Sequence, residues 1–207
     1  FYFIGDGMGV NQVQGTEMYL SELKGEIGIT PLLFTQFPYA TMATTFSATN
    51  GVTDSAAAGT ALATGNKTKN GALGVTKDLT EVGSVATWAK ANGYRVGVSS
   101  SVSIDHATPA AFYAHQGNRS SYYNIGLDLI EANFDFYAAS DFLDPTNEKA
   151  KDGKTYESLY DLTKKAGFTL ARGYKDYQKK AKKAEKMILF QTEKASEKDR
   201  SAIPYAI

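Results

Sequence analysis

Cysteine is absent from this 207-residue chain, and histidine occurs only twice. No disulfide framework or thiolate metal site is therefore possible, so any metal would be held by oxygen ligands or by imidazole. Acidic and basic residues balance at 22 each, so no net charge steers the chain toward nucleic acid or an anionic membrane. We also find no signal-peptide pattern and no apolar run of membrane-spanning length.

The rest of the composition is typical of a globular α/β chain, with enough hydrophobic residues (43%) to form a core. Helical spacing over 84–91 followed by the β-branched run 95–99 predicts a βαβ crossover. We therefore predict a three-layer α/β/α fold with a largely parallel central sheet. No linker separates domains, so residues 1–207 are interpreted as one domain. The apolar run Phe1–Ile4 suggests a strand that lacks its first residues, and we expect the chain to be an incomplete part of a larger domain.

Hydrophobic periodicity and turn signals predict the remaining elements. The predicted strands cover 1–4, 39–47, 95–99, 134–139 and 187–191. The predicted helices cover 12–23, 55–64, 84–91, 123–132, 156–166 and 174–186. Pro204 is predicted to mark the loop after the last strand, and the Lys-rich helix is interpreted as a solvated face.

A helix start around Ser55 is the most informative stretch. Asn50-Gly51 forms a turn, the polar pair Thr53-Asp54 follows, and an Ala-rich segment then runs to Gly65. Ser55 would lie in the first helical turn, where free backbone N–H groups and the helix dipole favour an anion or an alkoxide. The alternative is that Thr53 or Asp54 is only an N-cap and Ser55 only a good first-turn residue.

Two further polar clusters follow predicted strands. In Gly5-Asp6-Gly7-Met8-Gly9, Asp6 would project from a strand end and could hold a metal, or it could cap the next helix. The segment 99–119 contains Asp105, His106 and Thr108 as possible metal ligands, and Arg119 as a possible phosphoryl clamp. Thr108-Pro109 could instead be a plain helix start. Since ligands bind at the carboxyl ends of parallel strands, we expect these groups to share one crevice.

Taken in order, these motifs resemble the N-terminal half of alkaline phosphatases. The resemblance covers about residues 1 to 140 and is carried by Ile4–Gly9, Val52–Ala61, Asn70–Gly74, His106–Ala111, Ala114–His115 and Arg119.

The resemblance implies roles for single residues. Ser55 would be the nucleophile that becomes phosphorylated, Arg119 would bind the phosphate, and Asp54 would orient Arg119. It also implies two zinc ions and one magnesium ion, with ligands at Asp6 (bridging zinc and magnesium), Ser55, Thr108 and His106. His106 stands where family members carry either Asp or His, which makes zinc or cobalt more plausible at the third site.

The same residues support a physical mechanism. A phosphate monoester dianion repels an oxygen nucleophile, so cations are needed to activate Ser55 and to neutralise the phosphoryl oxygens. A pair of zinc sites needs about six to eight protein ligands, and His106 and His115 are the only histidines. We therefore expect this chain alone to bind zinc poorly and to have little activity.

The resulting hypothesis is hydrolysis of small phosphate monoesters. The alternatives are a related phosphodiesterase, sulfatase or phosphomutase, or a noncatalytic domain without its metals. A sulfatase is disfavoured, because sulfatase nucleophiles are followed closely by proline and arginine whereas three alanines follow Ser55. The resemblance also implies a homodimer in an exported, periplasmic setting, and we expect no nucleic acid or membrane partner.

Overall fold

A computed structural model describes residues 1–203, and its contacts divide the chain into two compact units, Phe1–Thr45 and Phe46–Ile207. Pro204, the predicted loop marker, lies outside the described residues. None of the helices in the described range is long and apolar enough to cross a membrane.

The first unit contains helix α1 and one short 3-10 helix. Its two helical segments are α1 (Val10–Glu22) and the 3-10 helix Phe34–Gln36. Glu17 of α1 accepts hydrogen bonds from the Leu32 N–H at 2.9 Å and the Thr35 hydroxyl at 2.6 Å. The helix predicted over 12–23 is confirmed by α1. The Glu17 hydrogen bonds connect this helix to the segment 32–35.

Two strand predictions are wrong. Phe1–Ile4 and 39–47 have no regular secondary structure, and Phe1 and Phe3 are exposed. A strand is stabilised by hydrogen bonds to a neighbouring strand, and the described residues provide no such neighbour for either segment. An apolar run shows a tendency to be buried, but it does not supply the pairing partner.

The second unit is built on a four-stranded, all-parallel sheet in the order β1-β2-β4-β3. The strands are β1 (Gly97–Ser99), β2 (Phe136–Ala139), β3 (Phe168–Arg172) and β4 (Lys186–Phe190). The helices are α2 (Ser55–Thr64), α3 (Val85–Ala91), α4 (Ala107–Ala110), α5 (Tyr122–Ala132), α6 (Leu159–Lys165), α7 (Tyr174–Lys180) and α8 (Glu193–Lys198), with 3-10 turns at Glu148–Ala150 and Ala181–Lys183. The predicted α/β class with a parallel sheet is confirmed, whereas β3 and α8 were not predicted.

Aromatic side chains form the centre of the core beside this sheet. Tyr137 of β2 is fully buried and lies edge-on to Tyr113, with ring centroids 5.7 Å apart. It also stacks on Phe134 at 5.9 Å and contacts Phe168 at 5.9 Å, so one strand residue joins three segments. Its hydroxyl donates to the Leu129 carbonyl at 3.2 Å, which satisfies the polar end of a buried ring.

The carboxyl ends of the parallel strands lie at one edge, where the connecting loops are hydrogen-bonded to each other. Ser100 N–H donates to the Ala138 carbonyl at 2.8 Å, and Ser140 N–H donates to the Val102 carbonyl at 3.1 Å. These hydrogen bonds fix the loop that leads from β1 into α4. His106 lies at the end of this loop and Thr108 lies in α4.

Gly74 ends the loop that follows α2. Its N–H donates to the Thr60 hydroxyl at 3.0 Å and its carbonyl contacts His115 Nδ1 at 2.8 Å. Its φ is +57°, and a Cβ at this position would lie 2.0 Å from the Ala114 carbonyl oxygen. Both the backbone conformation and the space therefore require glycine.

We predict that Gly74→Ala destabilises the second unit by about 3 kcal/mol or more, because left-handed strain adds to overpacking. Gly65→Ala is the matched control: its φ is +74° but no atom lies within 4 Å of the added Cβ, so only strain of about 1 kcal/mol remains. Urea unfolding followed by the single tryptophan, Trp88, measures both variants. Equal losses in the two variants would contradict the steric argument.

Candidate active site

Helix α2 begins as predicted. Asp54 has an extended backbone and is the N-cap residue, and its Oδ1 accepts a hydrogen bond from the Ala57 N–H at 2.9 Å. Ser55 is the first helical residue, and the helix ends at Gly65 in the left-handed conformation. The half-buried Ser55 therefore lies at the positive end of the helix dipole.

The second carboxylate oxygen of Asp54 joins α2 to two other segments. Asp54 Oδ2 accepts the Gly71 N–H at 3.1 Å and the Arg119 Nη1–H at 3.1 Å. The Gly71 carbonyl in turn accepts the Arg119 backbone N–H at 2.7 Å. Asp54, Gly71 and Arg119 thus form a closed set of contacts beside Ser55.

His106 contacts the other end of the same guanidinium. Its Nε2 lies 3.3 Å from Arg119 Nη2. A guanidinium can only donate, so in this hydrogen bond Arg119 is the donor and Nε2 the acceptor. The described structure therefore links Asp54, Arg119 and His106 in one row, although these residues are far apart in sequence.

Thr108 is the second residue of the short helix α4, which packs against α2. The two helices approach closely because Gly59 has no side chain: a Cβ there would lie 3.0 Å from Ala111 Cβ and 3.7 Å from the Thr108 carbonyl oxygen. His106, rather than Thr108, occupies the N-cap position. The alternative of a helix start at Thr108-Pro109 is wrong by two residues.

Asp105 and His106 point to different partners. The Asp105 side chain is fully buried, and its Oδ2 accepts the Leu143 N–H at 2.8 Å. Burial raises the pKa of Asp105 to about 7, against the opposing effect of hydrogen bonds from Ser103 and Leu143. His106 is the residue of this pair that contacts Arg119.

Asp6 lies in the first unit, in the turn before α1. The N-cap of α1 is Gly9, so the alternative in which Asp6 caps this helix is wrong. Its role as a metal ligand stays a prediction.

Candidate metal ligands are sparse in the part of the chain that the structure describes. Within residues 1–203 no group of three or more His, Cys, Asp or Glu side chains could together hold a metal ion. Ser55, Thr108 and His106 offer two hydroxyls and one imidazole, which is fewer donors than a pair of zinc ions needs. This donor set therefore does not fit a complete two-zinc shell.

The resemblance includes Gly71 within the segment Asn70–Gly74, but it assigns this glycine no role in the site. Its contribution comes from its backbone N–H and carbonyl, which carry no side-chain signal. Two sequence features mark it: its place in the polar loop 66–71, directly after α2, and its place in the segment Asn70–Gly74 of the resemblance.

Comparison with known proteins identifies the family. Residues 1–133 match the family model described as alkaline phosphatase. The chain belongs to the alkaline phosphatase family. Among relatives, the tissue-nonspecific alkaline phosphatase of Gallus gallus is 37% identical in an alignment of 142 residues that covers 62% of this chain and 27% of that protein. Alkaline phosphatase 4 of Drosophila melanogaster is 40% identical over 122 residues, which are 55% of this chain and 20% of that protein.

Solved alkaline phosphatase structures are similar over nearly the whole chain. The enzyme from the Antarctic bacterium TAB5 has a TM-score of 0.76 at 31% identity, covering 97% of this chain and 53% of that one. The cold-active enzyme from Shewanella has a TM-score of 0.76 at 26% identity, covering 98% of this chain and 46% of that one. The chain thus spans about half the length of these alkaline phosphatases.

The Asp54–Arg119 contact predicts a pH dependence of stability. Burial raises the pKa of Asp54, but hydrogen bonds from Ala57, Gly71 and Arg119 outweigh it, so the pKa lies below its ordinary value. The stabilisation is complete above the unfolded-state pKa of about 3.9 and is lost as pH falls through the lower folded-state pKa.

We predict that Asp54→Asn costs about 1 kcal/mol at pH 7, because asparagine keeps the N-cap oxygen but not the charged Oδ2 that accepts from Arg119 and Gly71. The cost should begin to shrink below about pH 4, where the unfolded-state carboxylate takes up its proton, and it should be lost as the pH falls through the lower folded-state pKa. Asp54→Ala should cost about 1 kcal/mol more, because the cap is lost as well. Urea unfolding at pH 3, 5 and 7 measures these differences, and a cost for Asp54→Asn that does not change with pH would contradict the ion-pair explanation.

Proposed function

We propose that the protein hydrolyses small phosphate monoesters, with Ser55 as the nucleophile and a phosphoserine as the intermediate. The observation that carries the proposal is that Asp54, which starts the helix of Ser55, also holds Arg119 at 3.1 Å. Membership of the alkaline phosphatase family supports phosphomonoester chemistry in general.

Arg119 is the proposed phosphate ligand. Its guanidinium has five N–H donors. Nη1 contacts Asp54 and Nη2 contacts His106, and these two contacts orient the group while leaving other N–H donors for a phosphoryl group. A charge-assisted fork onto two phosphoryl oxygens would offset part of the repulsion between a dianionic ester and an oxygen nucleophile.

Ser55 carries the proposed covalent step. Its oxygen forms the bond to phosphorus as the bond to the ester's alcohol oxygen breaks, and the alcohol leaves with a proton. Water then attacks the phosphoserine, which releases phosphate and restores the hydroxyl. The first turn of α2 favours the negative charge that develops on Ser55 in both steps.

The proposed metal complement is two zinc ions and one magnesium ion, with Asp6, Ser55, Thr108 and His106 as ligands from this chain. Such cations would activate the serine hydroxyl and neutralise the phosphoryl oxygens. Magnesium is bound in the M3 site of a TAB5 enzyme variant that carries a His-to-Glu substitution. The donor set within residues 1–203 is too small for the full complement, so further ligands are required.

The assembly and setting of the protein are also proposals. Family membership supports a homodimer in an exported, periplasmic setting. The balanced charge supports small phosphomonoester substrates rather than nucleic acid or membrane partners.

We predict that Ser55→Ala in the natural full-length gene product, assayed with zinc and magnesium, lowers kcat/KM for p-nitrophenyl phosphate by about 10³-fold or more, because the nucleophile is lost. Rapid acid quenching followed by mass spectrometry should find the phosphoryl group on the peptide that contains Ser55. Thr53→Ala is the matched control, since it removes a neighbouring hydroxyl and should retain both activity and labelling.

Undiminished hydrolysis by Ser55→Ala would contradict the proposal, as would faster turnover of phosphodiesters or sulfate esters than of monoesters. Residues 1–207 alone are expected to show little activity, because their described donors do not complete the metal shell. Full-rate, chelator-sensitive hydrolysis by this chain alone would contradict that expectation.

A further inference from the structure

A buried ion pair lies outside the candidate active site, at the carboxyl ends of β2 and β3. Arg172 Nη1 donates to Asp141 Oδ2 at 2.9 Å, and Arg172 Nη2 donates to Asp141 Oδ1 at 3.4 Å. The Asp141 side chain is fully buried. A two-pronged contact of this kind fixes both the position and the orientation of the carboxylate.

Additional groups hold the Asp141 carboxylate. The Tyr160 hydroxyl donates to Oδ1 at 2.5 Å, and the Phe142 N–H donates to the same oxygen at 2.8 Å. Burial raises the pKa of Asp141, but hydrogen bonds from Arg172, Ser196 and Tyr160 more than offset this, and the pKa lies below its ordinary value. Asp141 is therefore an ionised group with a single well-defined arrangement.

The backbone around Asp141 holds the loop between β1 and α4. The Asp141 carbonyl accepts the Ile104 N–H at 3.0 Å, and the Leu143 N–H donates to Asp105 Oδ2 at 2.8 Å. Ile104 and Asp105 are both fully buried and directly precede His106. One hydrogen bond to the Ile104 backbone and one to the Asp105 side chain therefore hold the two residues that precede His106.

The same loop ends at the candidate site. The His106 N–H donates to the Ser103 carbonyl at 3.1 Å, which closes the turn before α4. From that turn, the His106 ring reaches Arg119 Nη2 at 3.3 Å. A continuous series of contacts thus runs from Arg172 on β3 to Arg119 beside Ser55.

We propose that Asp141, held by Arg172 and Tyr160, is a positioning residue that fixes His106 against Arg119. Asp141 touches neither Ser55 nor the proposed phosphate ligand, so it would act only through the loop. A buried ion pair is weak evidence for stability, because desolvation offsets much of its attraction. Fixing one geometry of the His106 loop is a role that such a pair can perform. Only the expected effect on phosphate binding rests on the proposed function.

The two histidines of residues 1–207 provide a direct test, because each gives a separate ring signal in the NMR spectrum of this chain labelled with ¹⁵N-histidine. His106 lies in the proposed path, whereas His115 is held elsewhere, with its Nδ1 at 2.8 Å from the Gly74 carbonyl. A His115→Gln variant assigns the two sets of signals. His115 then serves as the internal reference in every other spectrum.

We predict that Asp141→Asn and Tyr160→Phe shift or broaden the His106 ring signals while those of His115 stay in place. Glu193→Gln is the matched control: Glu193 contacts the outer side of the same arginine, at 2.9 Å from Arg172 Nε, and its side chain is 72% exposed. This variant should leave both histidines unchanged. In the full-length gene product with zinc and magnesium, the dissociation constant for inorganic phosphate should rise by about 2-fold to 30-fold in Asp141→Asn and should not change in Glu193→Gln.

Unchanged His106 signals in the folded variants would overturn the inference, and so would equal changes at both histidines, which would indicate general loosening. If Asp141→Asn does not fold, Tyr160→Phe decides the question, because it removes a single hydrogen bond. If the full-length gene product, supplied with zinc and magnesium, does not bind phosphate, the proposed function fails, while the His106 signals of residues 1–207 still decide whether Asp141 positions the ring.

Discussion

The candidate site depends on one carboxylate, that of Asp54. One of its oxygens caps α2, which places Ser55 in the first turn, and the other holds both Gly71 and Arg119. A helix start, a loop and an arginine 65 residues away are thus tied together by a single side chain. The pair is partly shielded from water, with side-chain exposures of 29% for Arg119 and 24% for Asp54. Its attraction is therefore screened less than that of a surface ion pair.

The parallel sheet provides the frame for this arrangement. All four carboxyl ends lie at one edge, and the segments that leave β1 and β2 are hydrogen-bonded to each other there. The β1 segment carries His106 toward Arg119, and the β2 segment carries Asp141. Close packing of α4 on Gly59 then brings Thr108 beside α2. Membership of the alkaline phosphatase family links this arrangement to phosphomonoester chemistry in general. The side chains within residues 1–203 do not provide a complete set of metal ligands.

Local signals in the sequence were sufficient for some elements. Helix α2 begins after Asp54 and ends before Gly65 as predicted, and α3 begins after Ser84 and ends before Asn92. These ends could be predicted because caps act within one helical turn. Non-local requirements could not be read in this way. The apolar run at Phe1–Ile4 predicted a strand without showing a partner, and β3 was missed because its mixed polar and apolar residues give no clear alternation. Neither the backbone contacts of Gly71 nor the burial of Asp141 could be predicted from the type of residue at these positions.

A double-mutant cycle between Asp54 and Arg119 tests the central claim most directly. The free energy of unfolding at pH 7 would be measured for the wild type, Asp54→Asn, Arg119→Gln and the double variant, using Trp88 fluorescence in urea. If Asp54 holds Arg119 as described, the two substitutions should be non-additive, with a coupling energy of about 1 kcal/mol. Additivity within about 0.3 kcal/mol would show that the two side chains do not interact, and it would contradict the account.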